Sequence, residues 1–357
     1  MLRDIFYGSL ARRSIVYGYS NARIGAMKAS LLRKSQIQEM IQAGKIASVL
    51  GLLDDTDYKE DLVNYSLRYG GADLIELALG RNLARTCKKL IRMTPKGARK
   101  ITVTILERWD VHNIKTILSA KSAGYKSEEI EPFLVVAGNL TIDELKRMLD
   151  QGSVEEAVNY LGNSEYGKIL KELLPAYKTD CNITPLLSSL DVHYYGKLTK
   201  EVRPNCSDES TILFLIKTEI DMINIMLILR TAREGIKGEL VKKFMILGGS
   251  ISNKELGKLM NSKDMKEIVT RLKPRYDLTR AYERYNEDKS LTHFEVELET
   301  AIAKRQVGIL KKSILSTGTI IGFLYLKENE VNNIRKIVRA KEFNIPPEKV
   351  QEMVVMA

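Results

Sequence analysis

One internal repeat constrains the fold of this chain more than any other feature. A fifteen-residue segment at 107–121 reads ERWDVHNIKTILSAK, and similar segments return at 218–232 and 327–341. The asparagines at the centre of these segments are 111 and then 109 residues apart. A period this long and this regular predicts one structural unit that is used about three times.

The three segments share an acid, an asparagine and three aliphatic residues. These lie at steps 0, +3, +4, +7 and +8, which is the spacing of one face of an α-helix. The polar members are Asp110 and Asn113, Asp221 and Asn224, and Glu330 and Asn333. We interpret them as structural residues of a buried seam, since a buried asparagine fixes the register of neighbouring helices. The alternative, a functional opening lined by these pairs, is disfavoured because a catalytic site rarely recurs three times in one chain. We call the three helices the seam helices.

Other parts of the chain repeat with the same period. Residues 36–58 align with 144–166, and both copies contain a glycine that suits a tight turn between helices. Residues 127–135, which follow the second unit's seam, recur at 238–246 and again at 347–355. The final copy therefore stops before its unit is complete.

The incomplete last copy predicts how the chain is divided. We expect a first helical unit at 1–106, a second at 107–217 and a third at 218–326, with a C-terminal seam helix and short helix at 327–357 that complete the first unit. The predicted fold is therefore all-α, with three related helical-bundle units of pseudo-threefold symmetry that close into a funnel. An open solenoid would carry a polar cap at both ends, and the sequence shows none.

Composition limits the possible environments and partners. The net charge of +11 favours an acidic partner: a nucleic acid, an anionic lipid surface or an acidic protein. The three cysteines, Cys87, Cys181 and Cys206, lack the spacing of a disulfide framework or zinc site, which indicates a reducing compartment. The longest uncharged stretch has 14 residues, whereas a membrane-spanning helix needs about 20.

The chain contains no recognisable catalytic pattern. Both the phosphate-binding loop motif and the dinucleotide-binding glycine motif are missing, and His112, His193 and His293 are too scattered for a metal site. We therefore predict no catalytic residue, no bound metal and no cofactor.

Four basic residues occupy repeated positions. Arg230 and Arg339 share one position of the seam repeat, and Lys121 and Lys341 share another. Lysines and arginines on helices ordinarily lie on solvated faces. In a closed body of three units, however, such residues would form rings, and a ring of cations would be a socket for an acidic shaft. We therefore take these four as candidate shaft-binding residues.

The seam segments resemble a known family. Residues 323–350 read FLYLKENEVNNIRKIVRAKEFNIPPEKV, and with 107–118 and 19–32 they are similar to the C subunit of archaeal-type rotary ATP synthases, a family that includes the d subunit of the vacuolar proton pump. The resemblance implies a non-catalytic funnel without a cofactor, peripheral on the cytoplasmic face of the membrane. It would link the rotor shaft subunits D and F to the membrane proteolipid (c/K) ring, beside the other ATP synthase subunits. Ion flow, of protons or sodium, would then drive ATP synthesis, or ATP hydrolysis would drive ion pumping.

A second function class remains possible at this point. A basic helical-repeat scaffold that binds nucleic acid or an acidic protein would also agree with a pI of about 9.3. Against a nucleic-acid partner, the sequence contains no known binding motif, and its basic residues alternate with acidic ones instead of forming a stripe. We therefore expect no nucleic acid.

Overall fold

A computed structural model describes residues 2–202, 207–236, 238–262, 264–312 and 315–355. Within these ranges the chain forms helices and turns and contains no β-strand, so the predicted all-α class is confirmed. The funnel shape and its threefold symmetry stay predictions.

The helices follow one another in the same order in the second and third parts of the chain. The N-terminal part contains α1 (Leu2–Ala29), α2 (Lys34–Gln42), α3 (Ile46–Leu53), α4 (Lys59–Tyr65), α5 (Gly71–Met93) and α6 (Lys96–Leu106). The next part contains α7 (Arg108–Ala123), α8 (Ser127–Ile130), α9 (Ile142–Leu149), α10 (Val154–Tyr160), α11 (Glu165–Asp180) and α12 (Thr184–Glu201). The third contains α13 (Ser207–Glu234), α14 (Gly238–Val241), α15 (Asn253–Met260), α16 (Met265–Leu272), α17 (Thr279–Asp288) and α18 (Thr292–Lys312). The chain then forms α19 (Thr317–Glu342) and α20 (Pro347–Met353).

The seam helices are α7, α13 and α19, and they differ at their upstream ends. The apolar run before each seam predicts a longer helix, and α13 and α19 do run continuously for 28 and 26 residues. In the second unit a turn at Glu107 separates α6 from α7. The Glu107 amide still bonds to the Val103 carbonyl at 3.1 Å, so the helical hydrogen bonding of α6 extends to this residue.

All three seam helices end in the same way. Gly124, Gly235 and Asn344 follow them in the left-handed conformation, with φ of 77°, 66° and 54°. One residue later, Tyr125, Ile236 and Ile345 donate their amides back to the last helical turn at 2.8–3.0 Å. This is the helix-terminating arrangement that glycine or asparagine permits.

The repeated asparagines fasten each seam helix to the segment that follows it. The amide of Asn113 donates to the Val135 carbonyl at 2.8 Å and accepts from the Val135 amide at 2.9 Å. Asn224 makes the same pair of bonds with Ile246, and Asn333 makes it with Val355. The three side chains are at most 5% exposed, so each satisfies backbone groups that have no access to water. We call this arrangement the asparagine clamp.

The repeated acids bind the start of the next segment. Asp110 accepts the amides of Asn139 and Leu140 at 2.8 and 2.9 Å. Asp221 accepts the amides of Ser250 and Ile251 in the same way. Gly138 and Gly249 come directly before the residues whose amides are bound. A Cβ at either position would overlap the carboxylate of Asp110 or Asp221, respectively.

In the last copy, the acid binds the other end of the chain. Glu330 accepts the amide of Leu32 and, at 2.7 Å, the hydroxyl of Tyr58. Gln38 and Gln351 also bond to each other, at 2.8 Å. The N-terminal segment thus packs against α19 and α20. The residue boundaries of the units stay a prediction.

The buried apolar residues form two separate clusters. The larger one includes residues of α2 to α12, the first half of α13 up to Ile220, and α19. The smaller one begins at Ile225 and includes the second half of α13 and residues of α15 to α18 up to Leu298. Helix α13 therefore passes from one core into the other.

The asparagine clamp gives the first testable prediction. In Asn224→Leu, the backbone amide and carbonyl of Ile246 stay buried without their partners, which is expected to lower the free energy of unfolding by about 2–5 kcal/mol. Urea unfolding followed by circular dichroism measures this change. Asn159→Leu, at an exposed position, is the control. Equal stability of the two variants would contradict the clamp's role.

Candidate functional site: the hub and the seam faces beyond it

Three charged side chains from equivalent positions of the seam helices meet inside the protein. Arg108 of α7 bonds to Glu219 of α13 with both of its terminal nitrogens, at 3.3 and 3.2 Å. The same guanidinium reaches Glu328 of α19 at 3.3 Å. These three side chains are only 11–17% exposed. We call them the hub, because they connect all three seam helices directly.

The hub holds two carboxylates against one guanidinium. Its remaining acceptor groups are met by neutral donors: Trp109 Nε1 donates to Glu328 at 3.2 Å and Tyr195 donates to Glu219 at 3.3 Å. Burial raises the pKa of Glu328, and Arg108 opposes this shift. A charged cluster out of water is stable only when its hydrogen bonds are satisfied in this way.

On each seam helix, the face that carries the hub residue extends beyond the hub toward the C-terminal end of the helix. Positions four, seven and eleven residues after the hub lie on that face because of the helical period. They are His112, Lys115 and Ser119 on α7, Ile223, Met226 and Arg230 on α13, and Asn332, Arg335 and Arg339 on α19. Burial lowers the pKa of His112 to about 4, and Arg335 and Lys115 contribute to this shift.

Most charges on these faces pair with neighbouring helices. Lys115 bonds to Asp191 of α12 at 2.6 Å, and Arg335 bonds to Glu76 of α5 at 2.6 Å. Within the described ranges no hydrogen bond or ion pair joins one seam helix to another at these positions, in contrast to the hub. Polar contacts thus join the seam helices at the hub, and beyond it their charged side chains bond to flanking helices.

The two candidate arginines are in different surroundings. Arg339 bonds to Glu342 at 2.6 Å, lies 3.7 Å from Asp73, and stacks 4.9 Å from the ring centre of Phe133. Arg230 is exposed, and in the described part of the chain its guanidinium has no ion-pair partner. Arg230 is therefore the candidate that is most available to another molecule.

The two candidate lysines bond to the chain itself. Lys121 donates to the carbonyls of Leu149, at 2.7 Å, and Gln151 at the end of α9. Lys341 donates to the carbonyls of Ile41, at 3.0 Å, and Ala43 at the end of α2. A cation at a helix C-terminus satisfies free carbonyls and interacts favourably with the helix dipole. A lysine engaged in this way has fewer N–H groups left for a partner.

The hub could have been found in the sequence but was not. Arg108, Glu219 and Glu328 occupy one repeat position, directly after the candidate seam begins. Their residue types differ, so a search for similar residues passes over them. A search for opposite charges at one repeat position would have identified them.

Among the described residues there is no group of three or more His, Cys, Asp or Glu side chains that could hold a metal ion. In the same part of the chain, no helix is long and apolar enough to cross a membrane.

A cavity of about 660 Å³ adjoins the hub and is lined by Arg108, His112, Lys115, Asp191 and Tyr195, among others.

Comparison with known proteins identifies one family. The family model described as ATP synthase (C/AC39) subunit matches residues 20–353. The C subunit of the A-type ATP synthase from Methanocaldococcus jannaschii is 30% identical over 343 residues, which cover 95% of this chain and 86% of that protein. Its counterpart in the A-type ATP synthase of Thermoplasma acidophilum is 29% identical over 345 residues, 94% of this chain and 97% of that protein.

Removing the hub guanidinium should destabilise the protein. Arg108→Met leaves Glu219 and Glu328 buried without their shared partner, and the free energy of unfolding is expected to fall by about 3–5 kcal/mol. Arg108→Met/Glu219→Gln/Glu328→Gln removes the charges together and should recover part of this loss. The exposed Arg99→Met is the control for urea unfolding. If the Arg108→Met protein were as stable as the Arg99→Met control, this would contradict the hub's role.

Protonation of His112 should lower the free energy of unfolding as the pH falls. Its folded pKa of about 4 lies below the ordinary value of 6.5, so between these pH values the unfolded chain binds a proton that the folded chain does not. Stability is therefore lost as pH falls from 6.5 towards 4, by roughly 2–3 kcal/mol. His112→Asn, the residue type at the equivalent position 332, should lose less stability over this range. Unfolding curves of both proteins at pH 7 and pH 4 test the difference, and identical losses would refute it.

Proposed function

Because this chain belongs to the ATP synthase (C/AC39) subunit family, we propose that it is the non-catalytic coupling subunit of an A/V-type ATP synthase. It receives the rotor shaft subunits D and F as a central-stalk socket and rests on the membrane proteolipid ring. In this position it is a peripheral protein on the cytoplasmic face of the cell membrane. Other ATP synthase subunits complete the assembly.

The observation that carries the proposal is the hub. A coupling subunit must transmit torque, so its parts have to resist separation. Moving one ion charge across the membrane releases about 2.3 kcal/mol per 100 mV. The hub links three long helices at one point through Arg108, whose separation from its two carboxylates would leave charges buried and unpaired.

The shaft would bind on the seam faces beyond the hub. These faces carry Arg230 and Arg339, and the lysines Lys121 and Lys341 lie further along the same helices. A positively charged opening suits an acidic shaft end and accelerates its association. Arg230 is the strongest of the four candidates because it is exposed and lacks an internal partner among the described residues.

The class of assembly is tested by purification. The protein, tagged and expressed in its own organism, is recovered from detergent-solubilised membranes, and the bound proteins are identified. Recovery with the catalytic subunits, the shaft subunits and the proteolipid is expected. Recovery of the protein with none of these subunits would refute the proposed role.

The shaft contact is tested at Arg230. Arg230→Glu is expected to weaken binding of the D and F shaft subunits by about tenfold or more, which corresponds to about 1.4 kcal/mol. Its melting temperature should stay unchanged because the side chain is exposed. Arg339→Glu also breaks pairs with Asp73 and Glu342, so it cannot separate binding from folding. Lys254→Glu, an equal charge change at an exposed site, is the control, and equal affinities of Arg230→Glu and this control would exclude Arg230.

A further inference from the structure

The outward face of α1 carries large apolar side chains that no part of the described structure covers. Ile15 is 86% exposed, Tyr19 69% and Val16 46%. Ile15 and Tyr19 are four residues apart, so the helical period places them next to each other on one face. Exposed apolar side chains that are grouped, instead of scattered singly, mark a surface that binds a partner or a membrane.

The opposite face of α1 already packs against the rest of the protein. Ser20 and Ile24 on that face are 2% and 1% exposed. Tyr17 bonds to Thr317 of α19 at 3.0 Å. A surface helix ordinarily has one apolar face, which is turned to the core. The second apolar face of α1 is therefore not accounted for by packing within this chain.

The same part of α1 is strongly basic. Residues 11–30 contain no acid and four cations, which are Arg12, Arg13, Arg23 and Lys28. Arg12 and Arg23 are exposed and form no ion pair with the described residues. They lie seven residues before and four residues after Tyr19, so the helical period places them on the apolar face. Guanidinium groups thus flank the exposed apolar side chains along the helix.

A second basic segment lies at the turn between α5 and α6. Residues 88–100 read KKLIRMTPKGARK, with six cations and no acid. Five of these cations are exposed and form no ion pair with the described residues: Lys88, Lys89, Arg92, Lys96 and Arg99. The sixth, Lys100, bonds to Glu201 at 2.7 Å. We call residues 88–100 the basic segment.

The basic segment adjoins the exposed face of α1. The hydroxyl of Ser20 donates to the carbonyl of Met93, in the middle of this segment. Val16 and Arg23 come four residues before and three residues after Ser20, so they are its neighbours on the helix surface. One edge of the exposed face therefore lies beside the basic segment.

This combination suits an anionic lipid surface. Clusters of lysine and arginine beside a helix are attracted to negatively charged headgroups, while apolar side chains of the helix insert at the headgroup boundary. A nucleic acid would bind the cations through its phosphates, but it would leave Ile15 and Val16 exposed to water. The apolar side chains therefore favour a membrane.

The exposed face also lies at the end of the protein that is remote from the candidate shaft residue Arg339. Tyr17 bonds to Thr317, the first residue of α19, whereas Arg339 lies in the last turn of that helix. About 30 Å of helix separates these two positions. Binding through α1 therefore leaves Arg339 far from the membrane surface.

We propose that the exposed face of α1 and the basic segment bind directly to the surface of a membrane that contains anionic lipids. Ile15, Val16 and Tyr19 insert among the headgroups, and the arginines and lysines lie near the lipid phosphates. This contact is made with lipid, so it goes beyond the contact with the proteolipid ring in the proposed function and needs no other subunit.

Flotation of the full-length protein with protein-free vesicles tests the proposal. Vesicles of phosphatidylcholine mixed with phosphatidylglycerol, which is anionic, are compared with vesicles of phosphatidylcholine alone. Binding to the anionic vesicles is expected to be at least tenfold tighter and to weaken as salt is added. Equal binding to both kinds of vesicle, or binding to neither, would overturn the proposal. Binding to duplex DNA but not to vesicles would assign the basic segment to a nucleic acid and would overturn it too.

A matched pair of variants tests the apolar side chains. Ile15→Asp/Tyr19→Asp is expected to weaken binding to anionic vesicles at least tenfold. Tyr125→Asp/Phe343→Asp is the control, with the same change in charge at side chains that are 60% and 73% exposed and that follow the ends of α7 and α19. All four side chains are exposed, so both proteins should keep the circular dichroism spectrum of the wild type. Equal vesicle binding by the two variants would overturn the proposal.

A second pair tests the basic segment. Arg92→Glu/Lys96→Glu is expected to weaken binding to anionic vesicles at least tenfold, because it reverses two charges beside α1. Lys171→Glu/Lys254→Glu makes the same change in net charge at exposed positions elsewhere and should bind as the wild type does. An equal loss of binding in both variants would show an effect of net charge alone and would overturn the proposal. Failure of these tests would leave the proposed coupling role in place, since that role is tested by co-purification.

Discussion

A single buried guanidinium connects the three seam helices of this protein. Arg108 lies on α7 and bonds to carboxylates on α13 and α19, so no seam helix can leave the hub without stranding a charge. Each seam helix is in turn fastened to its own unit by an asparagine clamp and an acid that binds the next loop. The clamps and the acids thus hold each seam helix in place, and the hub joins the three seam helices to one another.

The two ends of the chain also meet, on α19 and α20. Glu328 lies on α19, and two residues later Glu330 binds the N-terminal part of the chain through Leu32 and Tyr58. Gln38 bonds to Gln351 of α20. Here Lys327 holds the repeat position that Glu107 holds in the segment at 107–121, and it bonds to Tyr58 and Glu330.

The sequence predicts those features that recur with similar residues. The all-α class, the seam helices and the family were all accessible in this way, since Asn113, Asn224 and Asn333 keep one residue type at one period. The hub was not accessible in this way, because its three residues carry opposite charges instead of similar side chains. The bonds of Lys121 and Lys341 to carbonyls were also missed, since a lysine that caps a helix and one that faces solvent look the same in a sequence.

Closure of the chain around the hub is the central claim, and a distance across its two ends tests it most directly. Nitroxide labels at positions 38 and 351, whose native glutamines bond to each other, report this distance by electron paramagnetic resonance. A closed chain predicts strong dipolar broadening in the doubly labelled monomer that disappears on unfolding in urea. A folded monomer whose spectrum equals the sum of the two singly labelled proteins would contradict the account.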